Sequence, residues 1–195
     1  MSDIKLYDAI VVVTPKDFKR VESNNKRIVE YLPVRKVLFV GSKELGELVE
    51  QSSFGDKAGF VDENDIIPFD DVYNCLKDIM ADILLGRELP RGLVGWYYQQ
   101  FLKLQYVRMC KDEYYMSWDG DTVPCKNFSM FSDDGRPYFD LKHEFHQEYF
   151  ITMNKLLLNL DKTIDKSFIS EHMIFNCKYL VKMLEDIESL SLIHI

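Results

Sequence analysis

Apolar positions along the chain fall into two spacings. Residues 8–13 (DAIVVV) form an unbroken apolar run rich in β-branched side chains, which predicts a buried strand of the parallel type. Thr14-Pro15 ends it. Over 17–32 the spacing becomes helical, with Phe18, Val21, Ile28, Val29 and Leu32 set between charged residues, and Pro33 closes that helix. Residues 36–40 (KVLFV) predict a second strand, 43–51 a short helix, and 60–62 with 66–68 a third extended piece. Residues 71–85 read as a helix with Val72, Leu76, Ile79, Met80, Ile83 and Leu84 on one side. Residues 93–110 read as a very apolar helix, which predicts cover over most of its circumference. Tyr114 to Trp118 is a further strand, running into Asp119-Gly120-Asp121. Beyond it come an expected strand at 128–131, a turn at 133–137, a helix at about 145–160, a short strand at 168–170 and a last helix from Met173 to Ser189. Strands alternating with helices predict an α/β domain with a mostly parallel sheet, and ligands of such sheets bind at the carboxyl ends of the strands.

Composition narrows the function. At 195 residues the chain suits one domain, read as 1–189. The last six residues, 190–195 (LSLIHI), resemble the translation of a sequencing-library adapter and are left out of the fold. A net charge of −8 and the lack of a basic stripe argue against nucleic acid as a partner. The four cysteines, 75, 110, 125 and 177, have no C-x-x-C spacing and read as reduced thiols, with Cys110 and Cys125 as packing residues. No signal peptide and no membrane-length apolar stretch is visible. The expected location is therefore cytoplasmic, with the inner face of the membrane as a peripheral alternative.

Asp119 and Asp121 carry the strongest chemical signal. Two carboxylates one residue apart at a strand end can share a hard cation, Mn²⁺ or Mg²⁺, with the oxygens of a diphosphate. The motif alone is weak: 19 Asp in this chain give about two D-x-D triplets by chance. A solvated Asp-Gly turn is the bland alternative. A phosphatase of the haloacid-dehalogenase type also sets D-x-D after an apolar strand. Its Thr lies two residues past the second Asp, whereas Thr122 is adjacent here and the motif comes late in the chain.

Three segments carry a resemblance. They are 95–104 (GWYYQQFLKL), 118–123 (WDGDTV) and 167–175 (SFISEHMIF). Together they resemble the GT-A-type glycosyltransferase superfamily, and within it a bacterial family with a Gly-Trp…Gln-Gln…Lys-Leu helix and a D-x-D-T-V turn. The resemblance implies a single-domain, Rossmann-like α/β/α sandwich. It also implies transfer of a sugar from a nucleoside-diphosphate sugar to a glycan, lipid-linked or other hydroxyl acceptor. Asp119 and Asp121 would hold the metal. Thr14, Asp17, Gln100 and Lys103 would lie beside the donor. Glu171 or His172 would serve as catalytic base, with His172 alternatively a metal ligand or acceptor contact, against the bland reading of a helix start capped by Ser170. His143, Glu144 and His146 would form a polar helix face near the acceptor, while Trp96 and Trp118 read as core. In the resembling family an acidic, aromatic C-terminal segment completes the acceptor side, so a truncated chain is expected. A non-catalytic nucleotide-sugar-binding domain is the second reading. Oligomeric state is left open.

Overall fold

The computed structural model describes residues 5–144, 146–156 and 163–193. In chain order the first elements are β1 (Ala9–Val12), α1 (Pro15–Arg20), α2 (Glu22–Tyr31), β2 (Val37–Gly41), α3 (Lys43–Gln51), β3 (Ala58–Asp62) and the one-turn α4 (Glu63–Ile66). There follow α5 (Phe69–Ile79), the one-turn α6 (Ala81–Leu84), α7 (Arg91–Gln105), β4 (Tyr114–Trp118), α8 (Gln147–Leu156), β5 (His172–Asn176) and α9 (Cys177–Ile193). The strands form one sheet in the order β3-β2-β1-β4-β5. The first four are parallel, and β5 runs antiparallel to β4 with Trp118 opposite His172.

The unbroken apolar run of β1 has a simple cause. It is the central strand, and helices cover both faces of the sheet. Ala9 and Val11 point to one layer, where Phe18, Ile28, Leu45, Met116 and Trp118 join them. Ile10 points to the other, with Val72, Val94, Tyr98, Leu102, Tyr115 and Leu180. This two-residue alternation builds a three-layer α/β/α sandwich, which the resemblance implies, around the mostly parallel sheet that the patterning predicts.

Several boundaries differ from the sequence expectation. The helix expected over 17–32 is two helices meeting at Val21, whose φ of −117° and ψ of 34° leave the helical range. Asn25, wholly buried, donates its amide to the Phe18 carbonyl at 2.9 Å across that break. The helix expected over 71–85 ends at Ile79; Ile79 and Ile83 are 71% and 67% exposed, so the apolar side drawn through them is not buried. Residues 63–66 make a helical turn instead of continuing the extended piece. The α7 helix is not covered all round: Val94, Tyr98 and Leu102, spaced by four, form its buried stripe, while Trp96 is half exposed. Trp96 is thus not a core residue, whereas Trp118 is.

Residues 128–131 form no strand, although Phe131 makes an isolated bridge to Pro137. Neither do 168–170; the strand lies just beyond, at β5, and the last helix begins at Cys177. Cys125 is exposed instead of packed. The expected helix at 145–160 appears as α8, and residues 145 and 157–162 lie outside the described residues. So do 194–195 of the segment read as appended, while the backbone of 190–193 continues α9. Among the described residues no helix is long and apolar enough to cross a membrane.

Candidate active site

Strand order reverses between β1 and β4, and a crevice opens outside the carboxyl ends of strands at such a point. Two cavities occupy it. The first, about 500 Å³, is lined by Thr14, Asp17 and Arg20 after β1, Glu63 after β3, Trp96 and Gln99 on α7, and Asp119, Gly120 and Asp121 after β4. The second, about 390 Å³, is lined among others by Trp96, Gln100, Lys103, Asp119, Glu171 and His172. Asp119 and Trp96 border both.

The carboxylate pair sits on a tight turn. The Thr122 N–H donates to the Asp119 carbonyl at 3.0 Å, and the Trp118 indole N–H donates to the Thr122 carbonyl at 2.8 Å. The Asp119 N–H donates to the Glu171 carbonyl at 2.9 Å, which extends the β4–β5 ladder past the end of β4. Gly120 lies against β1; a methyl group there would stand 3.4 Å from Val11 Cγ1. Lys103 Nζ contacts Asp119 Oδ1 at 2.5 Å, with side-chain exposures of 13% and 30%.

On the β1 side, Thr14 caps α1. Its Oγ1 accepts the Asp17 N–H at 3.1 Å and donates to Asp17 Oδ2 at 2.8 Å. Arg20 pairs with the other Asp17 oxygen at 3.0 Å. This is the bonding of a helix cap, set on a cavity wall.

The second cavity holds Glu171 and His172. Glu171 is ion-paired to Lys142, whose ammonium holds its carboxyl below the usual range. That is the wrong direction for a strong base. Burial pushes the His172 imidazole below its ordinary value, outweighing the nearby acids Asp140 and Glu171. That favours the neutral ring, which stacks on the Trp118 indole at 5.0 Å and 24°. Glu144 and His146 also line this cavity, from the segment before α8 and not from a helix face.

The residues expected beside the donor divide between the cavities. Thr14 and Asp17 border the first, Gln100 and Lys103 the second. From α7 it is Gln99 that faces Thr14's cavity, a residue the sequence reading passed over. Arg20 and Glu63 were also passed over. Burial, and then Asp62 beside it, push the Glu63 carboxyl above its ordinary value, the one signal that singles it out.

A hard divalent cation takes few carboxylates and completes its shell with water and phosphate oxygens. Asp119 and Asp121 offer that set on the rim of a cavity with room for the rest. Among the described residues no group of three or more His, Cys, Asp or Glu could hold a metal by itself. A cation held by this pair would take the rest of its shell from water or phosphate.

The sheet order and the flanking helices define a mostly parallel α/β sandwich. Among solved structures, the galactosyltransferase LgtC with donor and acceptor sugar analogues is similar, with a TM-score of 0.52 at 13% identity. That match covers 93% of this chain and 64% of LgtC, so the chain spans less than two thirds of that protein's length. The apo form of mouse xyloside xylosyltransferase 1 is matched with a TM-score of 0.46 at 12% identity, over 90% of this chain and 69% of that one. No match was found among curated proteins. The chain belongs to the family of unknown function DUF6492, whose model matches residues 2–192.

Proposed function

We propose that this chain is a glycosyltransferase domain, which takes a sugar from a nucleoside-diphosphate donor and passes it to a hydroxyl acceptor. The observation that carries the reading is the Asp119-Gly120-Asp121 turn at the strand-order reversal, with Asp119 on the wall between two adjoining cavities. The donor nucleotide occupies the first cavity, beside Thr14, Asp17 and Gln99. Asp119 and Asp121 hold Mn²⁺ or Mg²⁺ with the diphosphate. When bound, the cation offsets charge on the leaving diphosphate. The acceptor enters through the second cavity, lined by Gln100, Glu171 and His172. Burial lowers the His172 imidazole and Lys142 lowers the Glu171 carboxyl, but the imidazole starts from the higher ordinary value, so His172, held flat on Trp118, is the better acceptor of the acceptor's proton.

Calorimetry with UDP and GDP, with and without Mn²⁺, tests the site. Metal-dependent binding of at least one nucleotide is expected, lost in both Asp119→Ala and Asp121→Ala. No binding of either nucleotide overturns the reading. Binding without donor hydrolysis or transfer, across sugars and acceptors, assigns the chain to a non-catalytic binding domain.

A further inference from the structure

We infer that Lys103 is the resident counter-cation of Asp119 and that it makes divalent-cation binding conditional on a diphosphate. The inference rests on the metal–diphosphate reading of Asp119 and Asp121.

The Lys103 ammonium already occupies the carboxylate the metal needs, at 2.5 Å from Oδ1. The pair is largely withdrawn from water, so screening by solvent and salt is weak. Lys103 is also fixed from behind. Its main-chain carbonyl accepts the hydroxyl of Tyr115 at 2.6 Å, Tyr115 is wholly buried, and Leu102 next to it is core. With the Lys103 backbone held, the pair opens by rotation of the Lys103 or the Asp119 side chain.

Charge arithmetic then sets the order of events. With Lys103 in place, the Asp119–Asp121 pair presents one net negative charge instead of two. No third acidic or imidazole ligand completes a metal site among the described residues. A lone cation must displace the ammonium or share the carboxylate with it against charge repulsion, and gains only an incomplete shell. A diphosphate changes both terms: it brings oxygens to the metal and gives the displaced ammonium a new acceptor. Metal and diphosphate therefore bind with positive coupling, and each strengthens the other by the same factor.

The test titrates Mn²⁺ by electron paramagnetic resonance, alone and with UDP or GDP, where no turnover occurs. Wild type is expected to bind Mn²⁺ alone at least tenfold more weakly than Lys103→Met, and Lys103→Arg should behave as wild type. Arg20→Gln removes a charge from the same crevice but not from Asp119, and should raise Mn²⁺ affinity far less than Lys103→Met does. In a thermal melt without nucleotide, Mn²⁺ should raise the Tm of Lys103→Met and not that of wild type. Lys103→Gln replaces the Met variant if that one does not fold. Equal Mn²⁺ affinity in wild type and Lys103→Met overturns the inference, as does an equal gain in Arg20→Gln. If wild type and Lys103→Met are equal but Mn²⁺ binding in wild type still depends on a nucleotide, only the role of Lys103 falls. If no variant takes Mn²⁺ with either nucleotide, the metal–diphosphate reading falls, and the inference with it.

Discussion

The hydroxyl of Tyr115, near the start of β4, donates to the main-chain carbonyl of Lys103 at 2.6 Å. One hydrogen bond thus ties the strand that leads to Asp119 to the helix that carries Lys103, Gln99 and Gln100. Burial raises the Tyr115 phenol well above its ordinary value, so it remains a donor throughout the accessible pH range. Tyr115→Phe keeps the ring and removes the bond. It should lower stability by about 1–2 kcal/mol, because a partly buried bond is lost. Urea denaturation checks this, with unchanged far-UV circular dichroism as the control for fold.

The two carboxylates of the turn should separate by stability. Asp121 is exposed, so Asp121→Asn should lie within about 0.5 kcal/mol of wild type. Asp119→Asn weakens the partner of a mostly buried ammonium and should cost about 1–3 kcal/mol. Both should lose metal-dependent nucleotide binding. Parallel denaturation and calorimetry on the two variants distinguish a residue needed for the fold from one needed only for the ligand.

Glu63 predicts a pH effect of definite sign. Its folded-state pKa is raised, first by burial and then by Asp62, so the folded protein holds the proton more tightly than the unfolded chain. Such a group adds stability below its unfolded pKa, and that stability is lost as pH rises through the folded pKa. At pH 7 the ionised carboxylate is therefore a cost. Glu63→Gln should melt higher than wild type at pH 7, with the gap closing as pH falls toward the ordinary Glu value of about 4.3. A series of melts between pH 4 and pH 8 measures it; a gap that widens toward acid would refute the assignment.

Much of the fold was legible because β1 to β4 are short apolar runs ended by Thr-Pro, Gly-Ser or acidic residues, and parallel strands bring those ends to one side. Thr14, Asp17, Asp119 and Asp121 converge for that reason. What stayed hidden depends on partners far along the chain. Residues 172–176 (HMIFN) suit strand or helix equally; pairing with β4 decides for strand. Gln99 and Gln100 are adjacent, and which faces which cavity follows from Tyr98 and Leu102 turning inward on α7, a packing choice that spacing alone does not express. The Lys103–Asp119 pair joins residues sixteen apart through two different elements.

The α5–α6 region turns a failed expectation into a comparison. Val72 and Leu76 are 4% and 8% exposed, while Ile79 and Ile83, on the apolar side expected from spacing, are largely in solvent. Leu76→Ala should cost about 2–5 kcal/mol through lost burial and the cavity left behind. Ile79→Ser with Ile83→Ser should cost less than about 1 kcal/mol in total, the range for two surface changes. Chemical denaturation of the two proteins side by side gives the contrast.

Two glycines near the crevice should respond in opposite ways to a methyl group. Gly41 ends β2, and a Cβ there would lie 2.7 Å from the Val13 carbonyl oxygen and 2.7 Å from Leu45 Cδ2. The leucine tip can rotate, but the carbonyl belongs to the backbone just before Thr14 and cannot yield without moving the end of β1. Gly120 is different. Its nearest neighbour to an added Cβ is the Val11 side chain at 3.4 Å, and its φ is not in the left-handed range. Gly41→Ala should therefore cost about 1–3 kcal/mol, as overpacking does, and weaken nucleotide binding through displacement of Thr14 and Asp17. Gly120→Ala should fold with near wild-type stability and keep metal-dependent binding. Denaturation and calorimetry on both variants decide; a Gly120→Ala protein that folds but takes no nucleotide would mean that ligand, and not packing, requires the bare backbone at that turn.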